Sequence, residues 1–249
     1  MSGNLDGRRA LITGAGGGMG RSHAVLMAER GADVVVLDIK ADGVEETAEM
    51  ARAKGVKATA VAVDARDVDA LTAAVQGAGP VDILVNNAGV GGHRRTIEDI
   101  DLEIFNEMYD VQVRGAFFTT KAVVPAMKER KFGKIVNISS IFAMGGSATA
   151  SHYCSAKSAI SGLTKAWARE FAPWRIRVNA VAPGFIVTGM TTQSNTDEWI
   201  EEHRQRMPLG EFATPLDISY AVAWLAGPET DSITGQVVSP NAGEVIVGY

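Results

Sequence analysis

The sequence predicts an α/β fold whose parallel sheet is doubly wound. Three observations predict it. Short runs rich in Val, Ile, Leu and Ala recur along the chain, and helical stretches alternate with them. The runs are continuously apolar rather than alternating, as expected of strands buried on both faces. The chain has 249 residues, of which 46% are hydrophobic, which suits one domain spanning 1–249 around a sizeable core. Alternation at this length fits helices on both faces of one sheet.

The elements follow in order. The first strand, Arg9–Thr13, contains the apolar run Ala10-Leu11-Ile12 and leads through a glycine-rich turn into a helix over Arg21–Arg30, which Gly31 ends. The second, Asp33–Asp38, is the run Val34-Val35-Val36-Leu37 closed by an acid. The third, Ala58–Val63, precedes Asp64, and the fourth, Ile83–Asn86, continues apolar residues that begin at Val81. A long helix is expected over Asp101–Lys131, then a fifth strand over Lys134–Ser139, a second long helix over His152–Glu170, and strands at Arg177–Ala180 and Gln236–Ser239.

The glycine turn is Thr13-Gly14-Ala15-Gly16-Gly17-Gly18-Met19-Gly20. Gly14, Gly18, Met19 and Gly20 sit between a strand and a helix, the context a dinucleotide-binding turn requires. Glycines let the backbone approach a pyrophosphate, and the helix start offers unpaired N–H groups and a positive dipole end. Asp38 lies 24 residues after Gly14, near the spacing of about 20 expected of an acid that binds the adenosine ribose. A carboxylate there accepts from the 2′- and 3′-hydroxyls and repels a 2′-phosphate. No basic residue precedes Gly20 in the turn, while Lys40 lies just beyond Asp38. The expected cofactor is therefore NAD.

Tyr153 and Lys157 are four residues apart at the start of the second long helix, and so share a helix face. An ammonium one turn away favours phenolate and lowers the phenol pKa. Such a pair takes a proton from an alcohol or returns one to an alkoxide.

These residues, in this order, resemble the short-chain dehydrogenase/reductase family, and the resemblance runs from about Leu5 to Gly243. Asn86-Asn87-Ala88-Gly89 after the fourth strand, Ser140 13 residues before Tyr153, and Pro183-Gly184 followed by Ile186 and Thr188 all agree with it. The resemblance implies a Rossmann-like sheet of seven strands. It implies that Tyr153 is the general acid/base and that Ser140, rather than its neighbour Ser139, orients the substrate oxygen. Lys157 would lower the Tyr153 pKa and bind the nicotinamide ribose. Asp64 and Ala65 would meet the adenine, and Asn87, Ala88 and Gly89 would lie near the adenosine ribose. Pro183, Gly184, the Ile186 backbone and Thr188 would hold the nicotinamide carboxamide or a phosphate. The segment 189–209 would be a substrate lid, with Met190, Trp199, Ile200 and Met207 either its apolar face or ordinary packing.

One departure stands out. The family's N-x-x-G segment reads Gln112-Val113-Arg114-Gly115 here. Gln112 either carries the proton path that the family Asn serves through a water, or is a helix residue bonded locally.

Net charge is −5, which argues against general nucleic-acid or anionic-membrane binding. No run of 18 apolar residues, secretion signal or metal-ligand spacing is found. The single cysteine, Cys154, makes no internal disulfide, and the reading is cytoplasmic. His93 and His152 fall near the expected pocket. Arg94 and Arg95 are either a solvated charge pair or an attractor for a carboxylate- or phosphate-bearing substrate.

The leading expectation is an NAD-dependent oxidoreductase interconverting a secondary alcohol and a ketone. Its rivals are an NADPH-dependent 3-oxoacyl-thioester reductase and a non-catalytic NAD-binding sensor. A homotetramer is expected. Its basis is that the long helices over Asp101–Lys131 and His152–Glu170 exceed what one sheet face must cover: the second carries an apolar stripe of Leu163, Trp167 and Phe171, one flank of the pair is left for a partner, and the apolar chain end could cover a second interface.

Overall fold

The computed structural model describes residues 5–91, 94–192 and 195–247, with the Met190 side chain excepted. Seven parallel strands form one sheet in the order β3-β2-β1-β4-β5-β6-β7. They are β1 Arg9–Thr13, β2 Asp33–Asp38, β3 Ala58–Ala62, β4 Ile83–Asn86, β5 Gly133–Ile138, β6 Ile176–Val181 and β7 Val237–Val238. β4 and β5 are buried throughout, because helices cover both faces. On one side α1 (Gly18–Glu29), α2 (Ala41–Arg52) and α10 (Pro215–Ala226) pack over Ile12, Val36, Val85 and Val136. On the other, α3 (Val68–Gly77), α5 (Gly115–Arg130) and α7 (Ser151–Phe171) pack over Leu11, Val35, Leu84 and Ile135, while the short α6 (Phe142–Gly145) and α8 (Gly189–Thr192) follow β5 and β6.

Strand order reverses between β1 and β4. Because all strands run the same way, their carboxyl ends form one edge, and the crevice over that edge is where such sheets bind ligands. Thr13, Asp38, Asn86 and the residues after Ile138 and Val181 lie along it.

Several boundaries differ from the sequence reading. α1 begins at Gly18 rather than Arg21, since glycine adopts the positive φ of 52° needed to enter the helix there. The helix expected over 101–131 is divided. α4 (Leu102–Tyr109) is capped by the Asp101 carboxylate on the Ile104 N–H at 2.8 Å; a π-helical turn follows at Asp110–Arg114, and then α5 begins. Gly115 opens α5 against Ala65, whose Cβ would lie 3.2 Å from a Cβ at Gly115. π turns of this kind recur at functional positions in helices, and this one contains Gln112.

The stripe on α7 is not left for a partner. Trp167 and Phe171 are buried with Leu163 packed beside them in the subunit's own core. The exposed apolar residues in this region are instead Leu102, Phe105 and Phe117 on α4 and α5. At the chain end, Ile246 and Val247 are exposed. No described helix is long and apolar enough to cross a membrane.

Candidate active site

The glycine turn leaves β1 with Gly14 at φ 65°. A Cβ there would lie 2.7 Å from the Ala88 Cα, and one at Gly20 would lie 2.1 Å from the Gly14 carbonyl oxygen. The turn is therefore pressed against the Asn87-Ala88-Gly89 turn, and no larger residue fits. The Thr13 hydroxyl pins the two together by accepting the Asn87 and Ala88 N–H groups, each at 3.0 Å. The Asn87 side-chain amide donates to the carbonyls of Thr13 and Gly14 at 2.9 and 3.0 Å. From behind, Thr47 donates to the Ala15 carbonyl at 2.8 Å, and Arg21, paired with Glu46, donates to the Gly16 carbonyl at 2.8 Å. The Met19 side chain packs against the core.

The outer side of the turn is open. A Cβ at Gly17 or Gly18 meets nothing within 4 Å. The N-terminus of α1 has no side-chain cap and no acid in its first turn, so its free N–H groups face that opening. The Asp38 carboxylate stands beside it, with Oδ2 accepting the Gly16 N–H at 2.9 Å and Oδ1 the Lys40 N–H at 3.0 Å. An uncapped helix start, glycines open to one side and an acid at the end of β2 fit the pyrophosphate and ribose of a dinucleotide. Asp64 has a local partner that the sequence reading did not name. Arg66 forks onto its carboxylate at 2.7–3.1 Å and holds the Asp64 pKa below its usual range.

The other half of the site rests on β5, β6 and α7. Ser140 follows β5; its hydroxyl accepts the Phe142 N–H at 3.2 Å and stands close enough to the Tyr153 phenol to lower its pKa. Ser139 points elsewhere, to the Lys157 carbonyl at 3.1 Å and the Ser161 hydroxyl at 2.8 Å. The structure thus brings Ser140, not Ser139, to Tyr153. Lys157 Nζ lies 5.6 Å from the Tyr153 ring centre and donates to the Ile138 carbonyl at 2.9 Å.

The electrostatics differ from the sequence expectation. Desolvation pushes the Tyr153 phenol up to about 12, against a smaller lowering from the nearby Ser140 hydroxyl. Burial takes Lys157 down to about 7. Desolvation is the largest cause for both groups. Tyr153 is held as a phenol, ready to give a proton, and Lys157 is poised near neutral pH.

Gln112 is buried. Its amide N–H group donates to the Val90 carbonyl at 3.3 Å and to the Met108 sulfur. Its carbonyl oxygen is enclosed without a donor among the described residues. Gly89 packs against it, its hypothetical Cβ lying 3.7 Å from the Gln112 amide carbon.

After β6, Pro183-Gly184 turns under the chain end. A Cβ at Gly184 would lie 2.9 Å from the Asn241 Cα. Thr191 closes the next turn, donating to the Ile186 carbonyl at 2.8 Å and accepting the Thr188 N–H at 2.8 Å. Sequence reasoning missed Glu244. Its Oε2 accepts the Phe185 N–H at 2.7 Å, and its Oε1 lies 3.1 Å from His203 Nε2 on α9 (Asp197–Gln205). His203 stacks between Trp199 and Phe212, and Phe185 meets all three edge-on or tilted. No local spacing announces a contact across 59 residues.

His152 is buried on a different side of α7 from Tyr153. It borders an open groove of about 490 Å³ between α4 and α7, lined also by Ile97, Leu102, Phe105 and Ser155. Of the other positions expected near the pocket, His93 lies outside the described residues.

The comparisons with known proteins agree with this architecture. A family model described as short chain dehydrogenase matches residues 8–199. A 3-oxoacyl-[acyl-carrier-protein] reductase of Thermotoga maritima is 35% identical over 97% of this chain and 99% of its own. A 3-alpha-(or 20-beta)-hydroxysteroid dehydrogenase of Mycobacterium tuberculosis is 38% identical over 98% of this chain and 92% of its own. Among solved structures, a 7 alpha-hydroxysteroid dehydrogenase complexed with NADH and 7-oxo glycochenodeoxycholic acid superposes with a TM-score of 0.92. It is 35% identical and covers 97% of this chain and 96% of its own. The chain belongs to the short-chain dehydrogenase/reductase family. It is an oxidoreductase of that family.

Proposed function

We propose that the protein is an NAD-dependent oxidoreductase that interconverts a secondary alcohol and a ketone. One observation carries the reading: the Ser140 hydroxyl stands close enough to the Tyr153 phenol to lower its pKa, on a helix that also carries the buried Lys157. A bound nicotinamide dinucleotide supplies the hydride donor or acceptor. The chain's own residues position and protonate. The α1 N-terminus and the open glycines hold the pyrophosphate, and Asp38 takes the ribose hydroxyls. Asp64, Ala65 and Asn87 to Gly89 border the adenosine, and Pro183 to Thr188 border the nicotinamide. Ser140 fixes the substrate oxygen, Tyr153 gives or takes its proton, and Lys157 holds the nearby ribose. The segment 189–209 closes over the substrate as a lid.

Reduction of a 3-oxoacyl thioester is the second reading, favoured by the Thermotoga maritima relative that matches the chain almost end to end. The decisive experiment is a panel of secondary alcohols, ketones and a 3-oxoacyl thioester with NAD(H) and NADP(H), followed at the reduced-nicotinamide absorbance band. Preference for NAD with alcohols or ketones supports the first reading; preference for NADPH with the thioester selects the second. Tyr153→Phe should lower turnover by about 10²–10⁴-fold while dinucleotide binding persists.

The assembly we propose is a cytoplasmic homotetramer. The exposed Leu102, Phe105 and Phe117 on α4 and α5 provide the apolar surface that the stripe on α7 does not. Light scattering should give about four times the 26.3 kDa chain mass. Phe105→Glu should reduce it, and a wild-type mass of one chain refutes the assembly.

A further inference from the structure

We propose that the substrate carries an anionic group, carboxylate or phosphate, and that Arg94 and Arg95 form the subsite that takes it. The proposal rests on the oxidoreductase reading above, under either substrate alternative, and names its substrate class.

Placement comes first. The loop after β4 is held at its start by Gln112 on the Val90 carbonyl and at its end by the Arg95 N–H, which donates to the Thr149 carbonyl at 2.8 Å. Thr149 leads directly into the helix that carries Tyr153. On the opposite side, the Arg94 guanidinium carbon lies 4.1 Å from the centre of the Trp199 ring. Trp199 in turn meets Phe185 at 5.3 Å, beside the Gly184–Ile186 turn. The two arginines therefore stand where the post-β4 loop, the lead into the catalytic helix and α9 converge.

Neither Arg94 nor Arg95 faces a carboxylate within ion-pair distance among the described residues, a property they share with Arg8 and Arg169; what sets the two apart is their place beside Trp199 and the lead into α7. A guanidinium lying on an indole face keeps its N–H edges in the plane, directed away from the ring, and is already fixed for a forked contact with carboxylate or phosphate oxygens. Arg95 is half-buried, with Nε enclosed and without an acceptor among the described residues; Nε is shielded, so an anionic oxygen would meet the exposed part of the guanidinium. The neighbouring wall is aromatic, with Trp199, Phe185 and Phe212. The matching substrate is thus an apolar body with the oxidisable alcohol at one end and an anion at the other. The chain as a whole has net charge −5, so attraction of an anion must come from a local site.

The test uses matched twins in the full-length enzyme. One pair is cholate and methyl cholate; the other is 3-oxobutyryl-coenzyme A and 3-oxobutyryl-N-acetylcysteamine. The expected result is a kcat/KM at least about tenfold higher for one anionic member than for its neutral twin, declining as salt rises from about 50 to 500 mM. The pair that shows the preference identifies carboxylate or phosphate as the anion. Arg95→Gln and Arg94→Gln should erode that preference mainly through KM, the loss for the anionic member exceeding that for its twin, and Arg95→Lys should restore part of it. Equal treatment of both twins, or variants that slow both members alike, overturns the subsite while leaving the oxidoreductase reading standing. Absence of turnover for all four compounds with either nucleotide counts against that reading and removes the proposal with it.

Discussion

Lys157 donates through Nζ to the Ile138 carbonyl at 2.9 Å, so a buried ammonium is held by the end of β5 and not by a carboxylate. Burial without a counter-charge explains why its pKa falls to about 7. In the unfolded chain it returns to the ordinary 10.5, so unfolding between these values takes up a proton. Stability then rises with pH across that window, by up to about 1.4 kcal/mol per pH unit, and is lost again as pH falls toward the folded value. Tyr153 works in the opposite sense, its contribution being lost only as pH rises from 10 toward about 12.

Lys157→Met should therefore be inactive yet at least as thermally stable as wild type near neutrality. Between about pH 7 and 10, wild type should gain melting temperature relative to the variant. Parallel melting curves of the two proteins across that range would show that Lys157 is not held near neutrality.

The Asp38 carboxylate accepts the Gly16 N–H at 2.9 Å, and we propose for it a second job that substitution can separate from the first, repulsion of a 2′-phosphate. Asp38→Asn keeps an acceptor for Gly16 and removes the charge; it should lower the NAD-over-NADP ratio of kcat/KM by about tenfold with little loss of thermal stability. Asp38→Ala loses both functions and should also bind NAD more weakly. A wild-type enzyme that prefers NADP refutes the role given to Asp38.

The Gln112 carbonyl oxygen is a buried acceptor in a π turn beside Gly89. If it serves the proton path, Gln112→Ala lowers turnover and alters the pH–rate profile, while Gln112→Asn keeps both near wild type. Unchanged profiles in both variants would assign the residue to packing.

His23 sets an acid limit on stability. It is buried between α1 and α10, with Nδ1 2.7 Å from the Ser219 hydroxyl, and desolvation takes its pKa from 6.5 to about 3. The unfolded chain therefore binds one more proton between those values, and stability is lost as pH falls from 6.5 toward 3. His23→Gln retains a partner for Ser219 and does not titrate. Its melting temperature should fall less steeply than wild type below about pH 6, and an identical acid limb would remove His23 as the cause.

Local spacing in the chain marks the central strands, the glycine turn and the Tyr153/Lys157 helix, while the count of seven strands followed from the family resemblance. Continuous apolar runs mark strands buried on both faces, and a separation of four places two side chains on one helical face. Tertiary structure alone decided other matters. It divided the helix over 101–131 at a π turn and buried Trp167 and Phe171 in the subunit's own core. It also placed Glu244 against Phe185, 59 residues away. The Tyr153 pKa moved opposite to the sequence expectation for the same reason. Spacing reveals the nearby lysine, but its Nζ turns to the Ile138 carbonyl, and desolvation by surrounding segments raises the phenol.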